Sequence, residues 1–158
     1  MLPQIESKMD DNRVVLVTGA SGFGKLTSST LAKRGFRTFG TSRKPTAVNE
    51  DGVEMLQLDI TSDPSVTKCL SGLMEKAGRV DVLVNNAGQV LTGSLEETSV
   101  DEAKAHFDSN FFGAVRMVNR QRSLVGGNVP RSVRSLLRLG ESGAHDIFRS
   151  TSAGSKTP

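Results

Sequence analysis

Residues 13–24 read RVVLVTGASGFG, and this stretch decides the fold that we expect for the chain. Val14 to Val17 form a short continuous apolar run, which is typical of a strand covered on both faces in a parallel sheet. Residues 18–24 follow as a glycine-rich turn, and residues 25–36 are suited to a helix. Unpaired backbone N–H groups at a helix start attract anions, and glycines allow a phosphate to come close. The stretch therefore predicts a phosphate-binding turn between a buried strand and a helix.

The size and composition of the chain indicate one cytoplasmic domain. Its 158 residues are enough for one core. They contain no apolar run long enough to span a membrane, and residues 1–12 lack the form of a signal peptide and are expected to be a flexible arm. The single cysteine, Cys69, excludes an internal disulfide and is expected to be a buried apolar residue of a helix.

The distribution of charge indicates a boundary near residue 119. Residues 1–119 carry 13 basic and 15 acidic side chains, whereas residues 120–158 carry 7 basic and 2 acidic ones. The second segment is also rich in Ser, Gly and Arg. We therefore expect a folded unit over residues 13–119 and a basic tail over 120–158 that is irregular, either disordered or the product of a shifted reading frame.

Strands alternate with helices before this boundary, which predicts an α/β fold with a parallel sheet. Leu26, Leu31 and Ala32 are expected to face inward from the first helix. Beyond Asn119 we expect no strand and only a short helix around 131–139, so the last predicted strand would be an exposed sheet edge. The predicted strands cover 13–18, 37–41, 53–58 and 80–84, and the predicted helices cover 25–36, about 62–77 and 99–119.

Three motifs in this order, TGASGFG, NNAG and FDSNFFGAVR, resemble those of the short-chain dehydrogenase/reductase family. The resemblance implies a Rossmann-type doubly wound parallel sheet, here incomplete, which binds NAD(H) or NADP(H) and transfers hydride between the cofactor and a carbonyl or alcohol substrate. The stretch SLEET to FDSNFFGAVR is most similar to members that act on steroids, retinoids and other apolar alcohols.

The resemblance also implies roles for individual residues. Asp59 would lie beside the adenine, and Asn110 would be the helix asparagine that holds a proton-relay water. The residues that would shape the pyrophosphate turn are Thr18, Gly19, Ser21, Gly22 and Gly24, and those that would run along the cofactor after the fourth strand are Asn85, Ala87 and Gly88.

The turn after the second strand favours NADP(H) over NAD(H). An acidic residue at this place bonds the ribose 2′-hydroxyl of NAD, whereas an arginine accommodates the 2′-phosphate of NADP. The turn reads Thr41-Ser42-Arg43-Lys44 and contains no acid, and Lys25 adds positive charge. We therefore expect Arg43 to bind the 2′-phosphate.

Two departures from the family pattern bear on function. The usual turn is TGxxxGxG, but here one residue is missing between the first two glycines, so we expect a distorted phosphate cradle. The chain also contains no tyrosine, although the acid/base of the family is a Tyr four residues before a Lys. Ser152 and Lys156 have that spacing, but a serine hydroxyl is a far weaker acid than a phenol. We therefore expect impaired catalysis, with the catalytic part lost or replaced after about residue 119.

Two other functions remain open from the sequence. Residues 19–25 fit GxxxxGK, the phosphate loop of nucleotide hydrolases, although Leu26 stands where Ser or Thr would bind Mg²⁺. Alternatively the chain is a non-catalytic protein that binds NADP(H) or a partner, including a second copy through the helix at 99–119. We expect no metal site and no membrane contact, and nucleic acid is disfavoured because Phe148 is the only aromatic residue of the basic tail.

Overall fold

The computed structural model describes residues 13–45, 51–90 and 96–124, together with the backbone of 132–134. They form one parallel sheet flanked by helices. The strands are β1 Val14–Val17, β2 Arg37–Ser42, β3 Glu54–Gln57, β4 Val82–Val84 and β5 Ser132–Arg134. The helices are α1 Phe23–Lys33, α2 Asp63–Ala77, α3 Val100–Phe107 and α4 Gly113–Leu124, and a π-helical turn, Asp108–Phe112, joins the last two.

The sheet has the order β3-β2-β1-β4-β5, and each neighbouring pair is parallel. In the centre, Val15 lies opposite Thr38 of β2 on one side and Val82 of β4 on the other. The order reverses at β1, because the chain moves outward through β2 and β3 and then returns to β4 on the other side. This is the Rossmann-type arrangement that we predicted, in an incomplete form, and its switch point lies between β1 and β4.

The central strand β1 is buried on both faces, which explains its uninterrupted apolar sequence. Each of its four residues is at most 3% exposed. Val14 and Leu16 belong to the main core cluster, which α2 and the α4 residue Met117 complete. Because side chains alternate along a strand, Val15 and Val17 face the other side of the sheet.

The helix α2 confirms its prediction from both ends. Ser62 caps it by accepting a hydrogen bond from the Ser65 N–H, and Gly78 ends it in the left-handed conformation at φ 69°. Cys69 lies on its buried face, where burial raises the pKa of the thiol to about 11. This thiol is therefore a core group rather than a nucleophile.

The prediction for the buried face of α1 is wrong for Leu26, whereas Leu31 and Ala32 are half-buried. Leu26 is 64% exposed, and the helix turns Gly24, Ser28 and Ser29 inward instead. The Ser28 hydroxyl donates to the Gly24 carbonyl at 2.6 Å, so this small polar group is satisfied within the helix. A face of small residues lets the helix lie close to the sheet, which an inward Leu26 would prevent.

Our prediction for the chain beyond Asn119 is wrong in two respects. Helix α4 continues to Leu124, and β5 stands at 132–134, inside the segment that we expected to be helical. The strand pairs with β4 through Leu83 and Val133, so β4 is not an exposed edge. The backbone groups of a strand edge can pair with another segment regardless of the side chains that this segment carries. The side-chain pattern therefore did not reveal β5. Residues 1–12 and the rest of the predicted tail lie outside the described residues.

No helix in the described ranges is long and apolar enough to cross a membrane.

Gln121 on α4 is an unfavourable residue in the core. Its side chain is 3% exposed, and among the described residues neither its Oε1 nor its Nε2 has a hydrogen-bond partner. A buried polar group without a partner loses its hydration and gains nothing in exchange.

Replacing this amide with an apolar side chain should stabilise the protein. We expect Gln121→Leu to raise the free energy of unfolding by about 1–3 kcal/mol, because the unsatisfied donor and acceptor are removed. Urea or thermal unfolding measures the change. Arg122→Leu, at an exposed position of the same helix, is the control and should not be stabilising. Equal effects of the two variants would contradict this account.

Candidate functional site

The candidate site lies where β1 and β4 end side by side, and Thr18 joins the two ends. The Thr18 N–H donates to the Val84 carbonyl at 2.9 Å. Its hydroxyl oxygen lies 3.3 Å from the same carbonyl and accepts hydrogen bonds from the N–H groups of Asn86 and Ala87, each at 3.0 Å. Thr18 is fully buried, so it holds the NNAG segment against the glycine turn and presents nothing to solvent.

The glycine turn is closed by short backbone contacts. The Ser21 N–H donates to Gly19 O at 2.8 Å, and the Gly24 N–H donates to Ser21 O at 3.0 Å. Gly19 has φ 69°, and Gly22, the N-cap of α1, has φ 50° and ψ −120°, a region that side chains exclude. The turn is one residue shorter than the family pattern. Gly22 closes it in a backbone conformation that other residues rarely adopt.

Side chains are excluded from the turn because other parts of the backbone lie against it. A Cβ on Gly19 would lie 2.8 Å from the Ala87 Cα, and a Cβ on Gly24 would lie 2.5 Å from Asn86 Nδ2 and closer still to Gly19 O. In contrast, nothing lies within 4 Å of the Cβ position of Gly22. The turn is therefore packed on the protein side and open at Gly22.

The start of α1 has the electrostatic character of an anion site. Its N-cap makes no side-chain hydrogen bond, and its first turn contains no acidic residue. No carboxylate within this first turn offsets the partial positive charge of the helix start, and Lys25 lies in the same turn. A diphosphate at the open side of Gly22 would meet a favourable charge and no Cβ.

Asn86 is a site residue that sequence reasoning missed. Its Nδ2 donates to Thr18 O at 3.2 Å and to Gly19 O at 2.8 Å, so one side chain ties the NNAG segment to the glycine turn. Asn85, its neighbour, is 3% exposed. The signal was present in the doubled asparagine, of which we had assigned only the first a role.

The far end of the NNAG segment meets Asn110. The Asn110 side chain accepts a hydrogen bond from the Gln89 N–H and donates one to the Gln89 carbonyl, both at 2.7 Å. A Cβ on Gly88 would lie 2.9 Å from the Asn110 Oδ1, so glycine is needed for this approach. Asn110 is 8% exposed, and its amide is used to hold backbone.

Asn110 lies in the π-helical turn, which the sequence did not predict. The continuous helix that we expected is interrupted, and the Gly113 N–H donates to the Asp108 carbonyl five residues earlier. Single π-helical turns occur frequently at functional sites. His106, one helical turn before Asn110, lies with its Nε2 2.8 Å from the Asn110 Nδ2 and is a second site residue that the sequence did not indicate.

At the opposite end of the site, charged groups follow β2 and β3. Arg43 is exposed, and its carbonyl accepts a hydrogen bond from Gln57 Nε2 at 3.3 Å. Asp59 Oδ1 accepts hydrogen bonds from the hydroxyl and the N–H of Thr61, at 2.7 and 3.0 Å. These bonds lower the pKa of the Asp59 carboxyl, and the nearby charge of Arg43 adds to the shift. Asp59 is therefore an ionised acceptor.

The structure brings together most of the predicted site residues but tests neither of the weak catalytic ones. The glycine turn, the NNAG segment and Asn110 lie together at the ends of β1 and β4, and the buried Thr18 joins them from beneath. Ser152 and Lys156 lie outside the described residues. Within the described residues, no three His, Cys, Asp or Glu side chains are grouped so that they could hold a metal ion.

Comparisons with known proteins agree with this geometry. A family model for short chain dehydrogenase matches residues 13–125. The chain is 42% identical over 106 residues to the 3-ketodihydrosphingosine reductase of Bacteroides thetaiotaomicron, which covers 66% of this chain and 39% of that protein. It is also 42% identical over 120 residues to human retinol dehydrogenase 8, covering 67% of this chain and 38% of the relative.

Solved structures show the same similarity. A short-chain dehydrogenase from Streptomyces avermitilis superimposes with a TM-score of 0.65 at 34% identity, over 70% of this chain and 43% of that one. An actinorhodin polyketide ketoreductase solved with NADPH gives a TM-score of 0.66 at 28% identity, over 72% of this chain and 48% of that one. The chain spans about two-fifths of the length of these two curated relatives.

The close approach at Gly24 can be tested by adding one methyl group. We expect Gly24→Ala to lower the free energy of unfolding by about 2 kcal/mol or more, because the new Cβ overlaps Gly19 O and Asn86 Nδ2. The control is Gly72→Ala on α2, where nothing lies within 4 Å of the Cβ position. It should raise stability by about 0.5–1 kcal/mol. Thermal unfolding of both variants gives the comparison, and a neutral Gly24→Ala would be inconsistent with the packing described.

Proposed function

Because the chain belongs to the short-chain dehydrogenase family, a family of oxidoreductases, we propose that residues 13–119 bind NADP(H). One observation carries the proposal: the turn from Gly19 to Gly24 is packed against the NNAG segment at the switch point of the sheet and is open at the start of α1. Dinucleotides bind at this place in open α/β sheets. The similar ketoreductase solved with NADPH supports the same assignment.

The residues around the turn suit the separate parts of a dinucleotide. The ionised Asp59 would accept a hydrogen bond from the adenine amino group, and Ser21, Gly22 and the start of α1 would hold the diphosphate. Ala87 and Gly88 would lie along the nicotinamide half, near Asn110. These assignments follow the resemblance residue by residue, and the packing of Gly19, Gly24 and Gly88 supports them.

We infer a preference for NADP(H) over NAD(H) from the charges beyond β2. Arg43 and Lys44 are both exposed there, and the described part of this turn contains no carboxylate that would bond a ribose hydroxyl. A guanidinium binds a phosphate through two parallel hydrogen bonds, and Lys25 adds a further charge from α1. The ribose 2′-phosphate would therefore gain affinity at this end of the site.

We propose that binding is retained while hydride transfer is impaired. In a complete site, hydride passes between the nicotinamide and a carbonyl carbon while an acid/base transfers the proton. The chain contains no tyrosine to do this, and Ser152 with Lys156 is a poor substitute. The names of two relatives, a ketosphingoid reductase and a retinol dehydrogenase, suggest an apolar carbonyl or alcohol as the substrate class. If hydride transfer is lost completely, the chain is a non-catalytic NADP(H)-binding protein, and the same proposal covers this case.

The hydrolase alternative rests on the GxxxxGK match of residues 19–25 alone. Leu26, which replaces the magnesium-binding Ser or Thr of a phosphate loop, is an exposed residue on α1. Lys25 then serves the 2′-phosphate end of the proposed dinucleotide site. The cytoplasmic location stays a prediction.

A second copy of the chain is the partner that we propose for the exposed apolar face of α3 and α4. Phe107 and Phe112 are 61% and 50% exposed, and Val115 is 39% exposed. Lys104 and Asp108 lie on the same face. Two antiparallel copies related by a twofold axis would pair such a stripe with itself and place opposite charges together.

Titration with both nucleotides tests the cofactor proposal. We expect NADPH to bind more tightly than NADH, and Arg43→Ala to weaken NADPH binding by about tenfold or more while leaving NADH unchanged. Lys68→Ala removes an exposed charge from α2 and is the matched control. Equal affinity for the two nucleotides would contradict the preference, and absence of binding to a folded sample would contradict the function. The same sample, given ketones, should not oxidise NADPH measurably.

The proposed dimer predicts a specific response to charge. Phe112→Glu and Val115→Glu should each convert a dimer into a monomer in light scattering, because a carboxylate cannot be buried in the apolar stripe without a partner. Val90→Glu introduces the same charge at a position that is 74% exposed, outside this face, and should leave the dimer intact. A wild-type protein that is monomeric at every concentration would exclude the proposal.

A further inference from the structure

The side-chain amide of Asn110 is held by groups of the protein at both its oxygen and its nitrogen. Its Oδ1 accepts from the Gln89 N–H, and its Nδ2 donates one hydrogen to the Gln89 carbonyl. The Ser109 hydroxyl lies 3.2 Å from Oδ1, and His106 Nε2 lies 2.8 Å from Nδ2. An amide nitrogen carries two hydrogens, so the second one points to His106.

The Gln89 backbone determines which way this amide is turned. Its N–H can only donate and its carbonyl can only accept, so the oxygen of Asn110 must face the N–H and the nitrogen must face the carbonyl. Turning the amide over would break both 2.7 Å bonds. The Asn110 nitrogen would then face the Gln89 N–H, and the Asn110 oxygen would face the Gln89 carbonyl. The group that faces His106 is therefore a donor, and Nε2 of His106 must supply a lone pair.

We infer that His106 is a positioning residue: its neutral imidazole, with the proton on Nδ1, accepts a hydrogen bond from Asn110 and thereby holds the Gln89 backbone in place. Gln89 immediately follows Gly88, so this contact determines where the end of the NNAG segment lies. The inference rests on the proposed function in one respect, namely that this segment lines the nicotinamide half of a cofactor. The neutral tautomer itself follows from the hydrogen-bond network alone.

The tautomer of His106 can be measured directly in the full chain without any ligand. The sequence contains two histidines, so His145→Gln leaves only the signals of His106. Long-range proton–nitrogen spectra of the ¹⁵N-labelled protein, recorded above the pH range in which imidazoles titrate, distinguish a protonated ring nitrogen from a bare one. We expect a protonated Nδ1 and a bare Nε2. A protonated Nε2, or a mixture of the two tautomers, would overturn the inference.

Variants of His106 test whether the acceptor matters for the site. His106→Gln keeps an acceptor oxygen on a side chain of similar reach, whereas His106→Leu removes it. We expect the leucine variant to speed hydrogen exchange at the Asn110 side-chain amide by about tenfold and to weaken NADPH binding by about the same factor. The glutamine variant should restore both to within about twofold, and unchanged exchange at the backbone amides of β1 verifies the fold.

The outcomes separate this inference from the proposed function. If no nicotinamide nucleotide binds to the wild-type protein but His106 has the expected tautomer and exchange behaviour, the function fails and the positioning role stands. If NADPH binds and His106→Leu behaves like the wild type, the function stands and the positioning role is wrong.

Discussion

The site depends on one buried hydroxyl, that of Thr18. A hydroxyl has one hydrogen to donate and two lone pairs, and here the donor faces the Val84 carbonyl while both acceptor positions are taken by the N–H groups of Asn86 and Ala87. β1 and β4 come from distant parts of the sequence, and this group joins their ends. Because Thr18 is fully buried, the bonds form where water cannot compete for them. The glycine turn and the NNAG segment are therefore positioned relative to each other before any ligand arrives.

Glycines then determine how closely the elements around this point approach. The Cβ positions of Gly19 and Gly24 are filled by Ala87, Asn86 and the turn itself, and that of Gly88 is filled by Asn110. At the other end of the π-helical turn, a Cβ on Gly113 would lie 2.8 Å from Ile60, so the helix is close to the loop after β3 as well. The four glycines have the same effect, because each one leaves room for a neighbouring group that a Cβ would displace. The glycine turn and the π-helical turn that carries Asn110 are thus parts of one packed unit.

The sequence predicted those parts of the fold whose pattern is local. The apolar run of β1, the strand predicted at 80–84 and the helix predicted at about 62–77 each depend on a few neighbouring residues, and the structure has an element at each of these places. The failures concern contacts between distant segments. Leu26 was expected to be buried because it is apolar, but the helix face was decided by how closely Gly24 can approach the loop after β4. The strand β5 was missed because pairing with β4 uses backbone groups that carry no sequence pattern.

The candidate site divides in the same way. The glycine turn, the NNAG segment and Asn110 were identified from motifs, whereas Asn86 and His106 became visible only through their partners. Asn86 bonds carbonyls of the turn some sixty-seven and sixty-eight positions earlier in the chain, and His106 bonds a side chain across the π-helical turn. A pattern of residue types does not reveal such bonds, because an asparagine or histidine that makes a long-range hydrogen bond cannot be distinguished in the sequence from one that is exposed to solvent.

In the proposal made above, nucleotide binding and proton transfer depend on different groups, and the reason lies in how the site is built. Each contact that shapes the proposed cofactor surface is made between residues 18 and 113, within the region matched by the family model. The hydrogen bonds that Thr18, Asn86 and Asn110 make with the described residues all lie within this region. Proton transfer to a substrate, in contrast, needs a group whose pKa can approach the working pH, and the chain has no tyrosine with which to supply it. A nucleotide that stabilises the folded state through binding would depend on the contacts around the glycine turn and would not need the proton-transfer group.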